Sequence, residues 1–136
     1  MKPSKKTKIA VVGSGYVGMS LSVILSQHND VTVLDIDSER VKKINNKEST
    51  VADTKIELFL KSNSLSLNAT TDKNKAYDGA SFIVVATPTD YNVNTNRFDT
   101  SLVDSVVDDA IKLNREACVV IKSTVPVGHT KSLITN

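Results

Sequence analysis

Gly13, Gly15 and Gly18 fall in the spacing G-x-G-x-x-G, directly after the apolar run that ends at Val12. The chemistry this spacing serves is the capture of a diphosphate by backbone. Gly13 lets the chain leave a strand in a tight turn. Gly15 has no Cβ, so an anion approaches the main chain closely, and Gly18 lets the following helix pack against the sheet. The N–H groups and dipole at the start of that helix then face the anion. Ser14, Tyr16 and Val17 fill the turn and are candidate cofactor-binding residues with it. Asp35 ends a second apolar run, about 20 residues on, where a carboxylate accepts hydrogen bonds from the hydroxyls of an adenine ribose. A 2′-phosphate there would be repelled by Asp35 and gain nothing from Asp37, so NAD is expected over NADP. Arg40, about one turn into the next helix, is the one basic residue that complicates this. It either lies over the adenine face or is an exposed helix arginine. By itself the glycine turn would also suit another α/β protein, such as a methyltransferase.

The elements needed to hold these residues are readable from the pattern. Strands are expected from about Lys8 to Val12, Val31 to Asp35, Leu65 to Ala69, Phe82 to Ala86 and Ala117 to Ile121. Helical spacing separates them: Val17, Leu21, Ile24 and Leu25; Val41 and Ile44; Ile56, Phe59 and Leu60; Val103, Val106, Val107, Ala110 and Ile111. Asp37 or Ser38 caps the second of these helices, and Ser101 to Asp104 has capping-box spacing. A short helix is expected near Asp72 to Tyr77. Alternation of this kind predicts a Rossmann-type doubly wound parallel sheet, three layers deep (α/β/α). In the strand order 3-2-1-4-5 the winding reverses between strands one and four and opens a ligand crevice there. The glycine turn, Asp35, Thr87 to Thr89 and Ser123-Thr124 all follow strands, so all fall on one sheet edge. Pro88 stops strand four. The polar connection from Asp90 to Phe98 is longer than the usual length of about 4–6 residues and reads either as a ligand loop or as a solvated loop.

The remaining candidates read as structure. His28 lies in a polar turn without a second ligand at metal spacing, and no metal site is expected. Cys118 lies inside an apolar strand and is expected to be a buried small residue with no charged neighbour to stabilise a thiolate. His129 stands near the start of a last helix that runs to Asn136. The 136 residues suit one domain, and a hydrophobic share of 40 % suits a globular core. With 17 basic and 15 acidic residues the net charge of +2 gives no electrostatic case for nucleic acid. The lysines at 2, 5, 6 and 8 read as a solvated tail. Ile9 to Val12 is too short a run for a signal core or a membrane span, and one cysteine allows no internal disulfide. A cytoplasmic location is expected.

The residues Gly13-Ser14-Gly15-Tyr16-Val17-Gly18, Val33-Leu34-Asp35-Ile36-Asp37, Ala86-Thr87-Pro88-Thr89 and Lys122-Ser123-Thr124-Val125-Pro126-Val127-Gly128, in this order, resemble the UDP-glucose/GDP-mannose dehydrogenase family. The resemblance runs over essentially the whole chain but reaches only the N-terminal third of such an enzyme. It implies that residues 1–136 are an NAD-binding domain whose last helix is cut off. The family oxidises the C6 alcohol of a sugar nucleotide such as UDP-glucose to a carboxylate, using two NAD in turn. By the same resemblance Val17, Asp35, Arg40, Thr89 and Thr124 contact NAD, with Tyr16 beside the diphosphate and Thr87 in the same strand-four motif. Thr124 also helps position a water or carboxylate at the reacting centre. The family's nucleophilic cysteine lies in a G-x-C-x-x-K-D segment, and this chain contains no such segment; Cys118 does not match it. The base lysine, its partner asparagine and most sugar-nucleotide contacts also belong to other parts of the enzyme. The resemblance therefore implies a chain that binds NAD without turning over, inside a full-length homodimer whose other domains hold the UDP-sugar. The competing reading is a regulatory nucleotide-binding module of a potassium transporter, which would not need Thr-Pro-Thr or Ser-Thr-Val-Pro at these places.

Overall fold

Val11, Ile83 and Val85 are fully buried because both faces of the central strands are covered. The computed structural model describes residues 7–62, 65–87, 90–92, 97–99 and 101–122. Strand β1 (Lys8–Val12) lies at the centre. It pairs with β2 (Asp30–Leu34) on one side and β4 (Phe82–Val85) on the other. Outside these lie β3 (Leu67–Thr70) and β7 (Cys118–Ile121). All four pairings are parallel, giving the order β3-β2-β1-β4-β7 and the expected doubly wound topology.

The side chains of β1 alternate between two cores. Ile9 and Val11 face a cluster with Met19 and Val23 of α1 (Tyr16–Leu25), Ile44 of α2 (Ser38–Asn45), and Ile56 and Leu60 of α3 (Thr54–Ser62). Ala10 and Val12 face Ala76 and Tyr77 of α4 (Lys73–Tyr77), with Val103, Val106, Val107 and Ala110 of α5 (Ser101–Leu113). Each Val, Ile, Leu or Met side chain among them contributes about 1.5–3 kcal/mol on burial. Tyr77 is 1 % exposed, and burial pushes its phenol up to about 12, with the Asp109 carboxylate adding to the shift.

Four local expectations are corrected. Of the apolar positions at helical spacing in α1, Leu21 and Leu25 pack half-buried against the core, but Val17 and Ile24 do not. Gly18, Met19, Ser22 and Val23 are buried instead, while Val17 and Ile24 are exposed. The close approach at Gly18 turns Met19, Ser22 and Val23 inward, and Ser22 returns its hydroxyl to the Gly18 carbonyl at 2.6 Å. Phe59 and Ile111 likewise lie at the rims of their helices, partly in solvent. Cys118 is exposed, not buried. It opens the edge strand β7, whose side chains alternate exposed and half-buried, with Val119 and Ile121 packed on the core. The stretch expected to be a loop from Asp90 to Phe98 begins and ends in a short antiparallel ribbon, β5 (Asp90–Asn92) with β6 (Arg97–Asp99). Its Asp and Asn residues have low strand propensity, which hid it.

Candidate functional site

Each ladder of the sheet carries one hydrogen bond past its last paired residue, and these bonds align the loop starts. Gly13 N–H donates to the Leu34 carbonyl at 2.9 Å, Asp35 N–H to Thr70 at 3.2 Å, Ala86 N–H to Val12 at 2.9 Å and Lys122 N–H to Val85 at 2.8 Å. The glycine turn, Asp35 and Thr87 therefore share the carboxyl edge, where the winding reverses between β1 and β4. Pro88, Thr89, Ser123, Thr124 and His129 lie outside the described residues.

The three glycines occupy three different environments. Gly13 has φ +104°, and a Cβ there would stand 2.7 Å from the Ala86 carbonyl oxygen. A Cβ on Gly18 would stand 2.1 Å from the Gly13 carbonyl oxygen, so the helix rests directly on the turn. A Cβ on Gly15 would meet nothing within 4 Å. The open volume lies over the second glycine, where a diphosphate has to approach. Gly15 is also the N-cap of α1, without a side-chain cap or an acidic residue in the first turn. The starts of α2, α3 and α4 differ. Asp37 accepts from the N–H groups of Glu39 and Arg40, Asp53 from Ile56, and Asp72 from Asn74. At α1 the first N–H groups and the positive end of the helix dipole have no side-chain cap and no acidic residue of the first turn beside them.

Asp35 is tied to the turn. Its Oδ2 accepts from Ser14 N–H at 3.1 Å and from Ser14 Oγ at 2.5 Å, and its Oδ1 accepts from Asp37 N–H at 2.9 Å. A carboxylate offers about four acceptor positions, so capacity remains for a ribose hydroxyl. Arg40 joins the same corner: Nη1 reaches Ser14 Oγ at 3.5 Å and Nε lies 3.8 Å from Asp37 Oδ2. Ile36, beside Asp35, is 92 % exposed, and Tyr16 and Val17 at the helix start are also exposed. Thr87 is buried behind the turn, its N–H near the space a Gly13 side chain would fill. The one polar residue the sequence reading missed is Thr50, whose hydroxyl donates to the Ser14 carbonyl. It lies in a polar connection without periodicity, so no sequence signal marks it. His28 is an exposed turn residue, and no metal-binding cluster occurs among the described residues.

A parallel doubly wound sheet with a glycine-lined helix N-terminus and a strand-end carboxylate at its switch point defines a dinucleotide-binding Rossmann domain. Residues 7–136 match the model of the UDP-glucose/GDP-mannose dehydrogenase family, NAD binding domain. The chain belongs to this family, and the cofactor of the domain is NAD. It is 43 % identical over 126 residues to a UDP-glucose 6-dehydrogenase of Streptococcus pneumoniae, covering 93 % of this chain and 32 % of that protein. A UDP-glucose 6-dehydrogenase of Campylobacter jejuni is also 43 % identical, over 128 residues, covering 93 % of this chain and 33 % of that protein. Among solved structures, a ternary complex of GDP-mannose dehydrogenase from Pseudomonas aeruginosa superposes with a TM-score of 0.82 at 26 % identity, covering 93 % of this chain and 30 % of that one. UDP-D-ManNAc dehydrogenase from Pyrococcus horikoshii gives 0.82 at 29 % identity, covering 93 % and 31 %. The chain thus spans about a third of the length of the curated relatives it matches. No described helix is long and apolar enough to cross a membrane.

Proposed function

We propose that residues 1–136 form the NAD-binding domain of an enzyme that oxidises the C6 alcohol of UDP-glucose to a carboxylate, with two NAD consumed in turn. The observation that carries this reading is the open space over Gly15 at an uncapped helix start, with Asp35 fixed beside it. The identity to UDP-glucose 6-dehydrogenases supports the choice of sugar nucleotide. Bound at this edge, NAD supplies a hydride acceptor. The N–H groups of the turn from Gly13 to Gly18 hold the diphosphate, with Ser14, Tyr16 and Val17 around it. Asp35 accepts from the adenine ribose, Arg40 flanks the adenosine, Thr87 lines the crevice behind the turn, and Thr89 contacts NAD by the family resemblance. Thr124 contacts the cofactor and helps orient a water or carboxylate at the reacting centre.

The oxidation also needs a base for the alcohol proton and a thiolate to hold the aldehyde between the two hydride steps. Cys118 does not supply the thiolate. It pairs with Phe82 at the amino end of the sheet, three residues before Ile121, so about 10 Å of strand separates it from the carboxyl edge. We place the base, the nucleophile and most of the sugar-nucleotide contacts in the remainder of a homodimeric, cytoplasmic enzyme. The purified 136-residue chain, given NAD and UDP-glucose, is expected to form no reduced nicotinamide by absorbance. Sustained formation that disappears in Cys118→Ser would overturn this division of labour.

A further inference from the structure

We propose that Ser14 is a positioning residue that sets the preference of this site for NAD over NADP; the proposal rests on the NAD-binding reading above. Ser14 occupies the first variable position of the glycine turn and is 1 % exposed. Its hydroxyl links the two charged groups that face the adenosine end of the crevice. The hydroxyl donates to Asp35 Oδ2 at 2.5 Å, and its oxygen accepts from Arg40 Nη1 at 3.5 Å. A hydroxyl has one proton and two lone pairs, so it makes both bonds at once. The Ser14 N–H reinforces the first bond, at 3.1 Å to the same oxygen. Thr50, from the connection between α2 and α3, holds the Ser14 carbonyl from behind.

Two consequences follow for a nucleotide arriving at this corner. The Asp35 carboxylate is held in one orientation, with Oδ2 on Ser14 and Oδ1 on the Asp37 N–H at 2.9 Å. It is therefore ready to accept from a 2′-hydroxyl without reordering. The Arg40 guanidinium is held against Ser14 and Asp37, so this cation is engaged and does not reach out to a 2′-phosphate. With the hydroxyl removed, Asp35 keeps its backbone bonds but loses its shortest one. Arg40 then keeps only the 3.8 Å pair with Asp37, half exposed on both sides, which is too weak to hold it in place.

The test is calorimetric titration of NAD and NADP into the whole chain and into Ser14→Ala, Arg40→Gln and the double variant. The wild type is expected to prefer NAD. In Ser14→Ala the NAD-to-NADP affinity ratio falls about tenfold, the size of one hydrogen bond to a charged group. Arg40→Gln weakens both nucleotides alike, through the lost contact with the adenosine, and leaves their ratio. The double variant loses again the NADP affinity that a freed Arg40 gives, while the loosened Asp35 remains. The ratio therefore recovers in part, a dependence on Arg40 that a merely structural role for Ser14 would not give. A wild type that binds neither nucleotide overturns the NAD reading and this inference with it. A wild type that prefers NAD, with an unchanged ratio in Ser14→Ala or no recovery in the double variant, overturns the inference alone. Thermal unfolding checks that Ser14→Ala is folded. Should it not be, Arg40→Gln still decides, because a changed ratio there means that Arg40 already reaches the phosphate in the wild type.

Discussion

The two edges of the sheet are built from the same strands and have opposite backbone polarity. At the amino edge, side-chain donors meet carbonyls. Lys8 Nζ donates to the Lys75 carbonyl at 3.0 Å and to that of Asp78. Asn114 Nδ2 donates to Tyr77 at 2.7 Å and Ala80 at 2.9 Å, and Asn29 Nδ2 to Leu25 at 3.0 Å. At the carboxyl edge, acceptors meet N–H groups: Asp37 at α2 and Asp72 at α4. Helix α1 begins on this edge too, and there no side chain takes the acceptor's place. Parallel strands run one way and their crossover helices return, so helix starts collect at one edge and helix ends at the other. An anionic cofactor is expected at the edge of helix starts, over the start of α1. The amino edge, Cys118 included, maintains the fold.

Substitutions at the two edges should separate binding from stability. The largest effect is expected from Gly18→Ala, which forces a methyl to 2.1 Å from the Gly13 carbonyl oxygen. Neither backbone yields easily, so the cost is about 3 kcal/mol or more, read from denaturant unfolding, and the binding edge collapses with the fold. Next comes alkaline pH. The folded-state pKa of Tyr77 is raised from 10.0 to about 12, so the folded protein keeps a proton that the unfolded chain gives up. Its contribution is complete below pH 10 and is lost as pH rises towards 12, on the order of 2 kcal/mol. Unfolding midpoints across this window should fall, and Tyr77→Phe should flatten the fall. Smaller again is Asn114→Ala, which leaves two carbonyls without their side-chain donor and costs about 1 kcal/mol. Its NAD affinity, measured by calorimetry, should equal that of the wild type; a loss would mean that the edges are coupled.

What was legible in the sequence follows from which signals are local. The strand order followed from five apolar runs alternating with helices, and the turn at Gly13 and the close packing at Gly18 from spacing between a strand and a helix. Cys118 was misread because a short apolar run looks alike in a central and an edge strand. The face of α1 was legible only in part, because Leu21 and Leu25 reach the core while the close approach at Gly18 turns Met19, Ser22 and Val23 inward and leaves Val17 and Ile24 outside. Neither the bond from Ser14 to Asp35 nor that from Thr50 to Ser14 has a sequence signature. Each joins residues brought together only by strand pairing or chain return.

The central claim is that the open space over Gly15 is where the diphosphate of NAD lies. Gly15→Val fills that space, and beyond its chain neighbours and its own helix no described atom lies within 4 Å of the added Cβ. Titration of NAD into the wild-type and Gly15→Val chains, with circular dichroism on both, tests it most directly. The account predicts a native spectrum for the variant and no measurable NAD binding. A native spectrum with unchanged NAD affinity would contradict it and place the phosphate site elsewhere on the molecule.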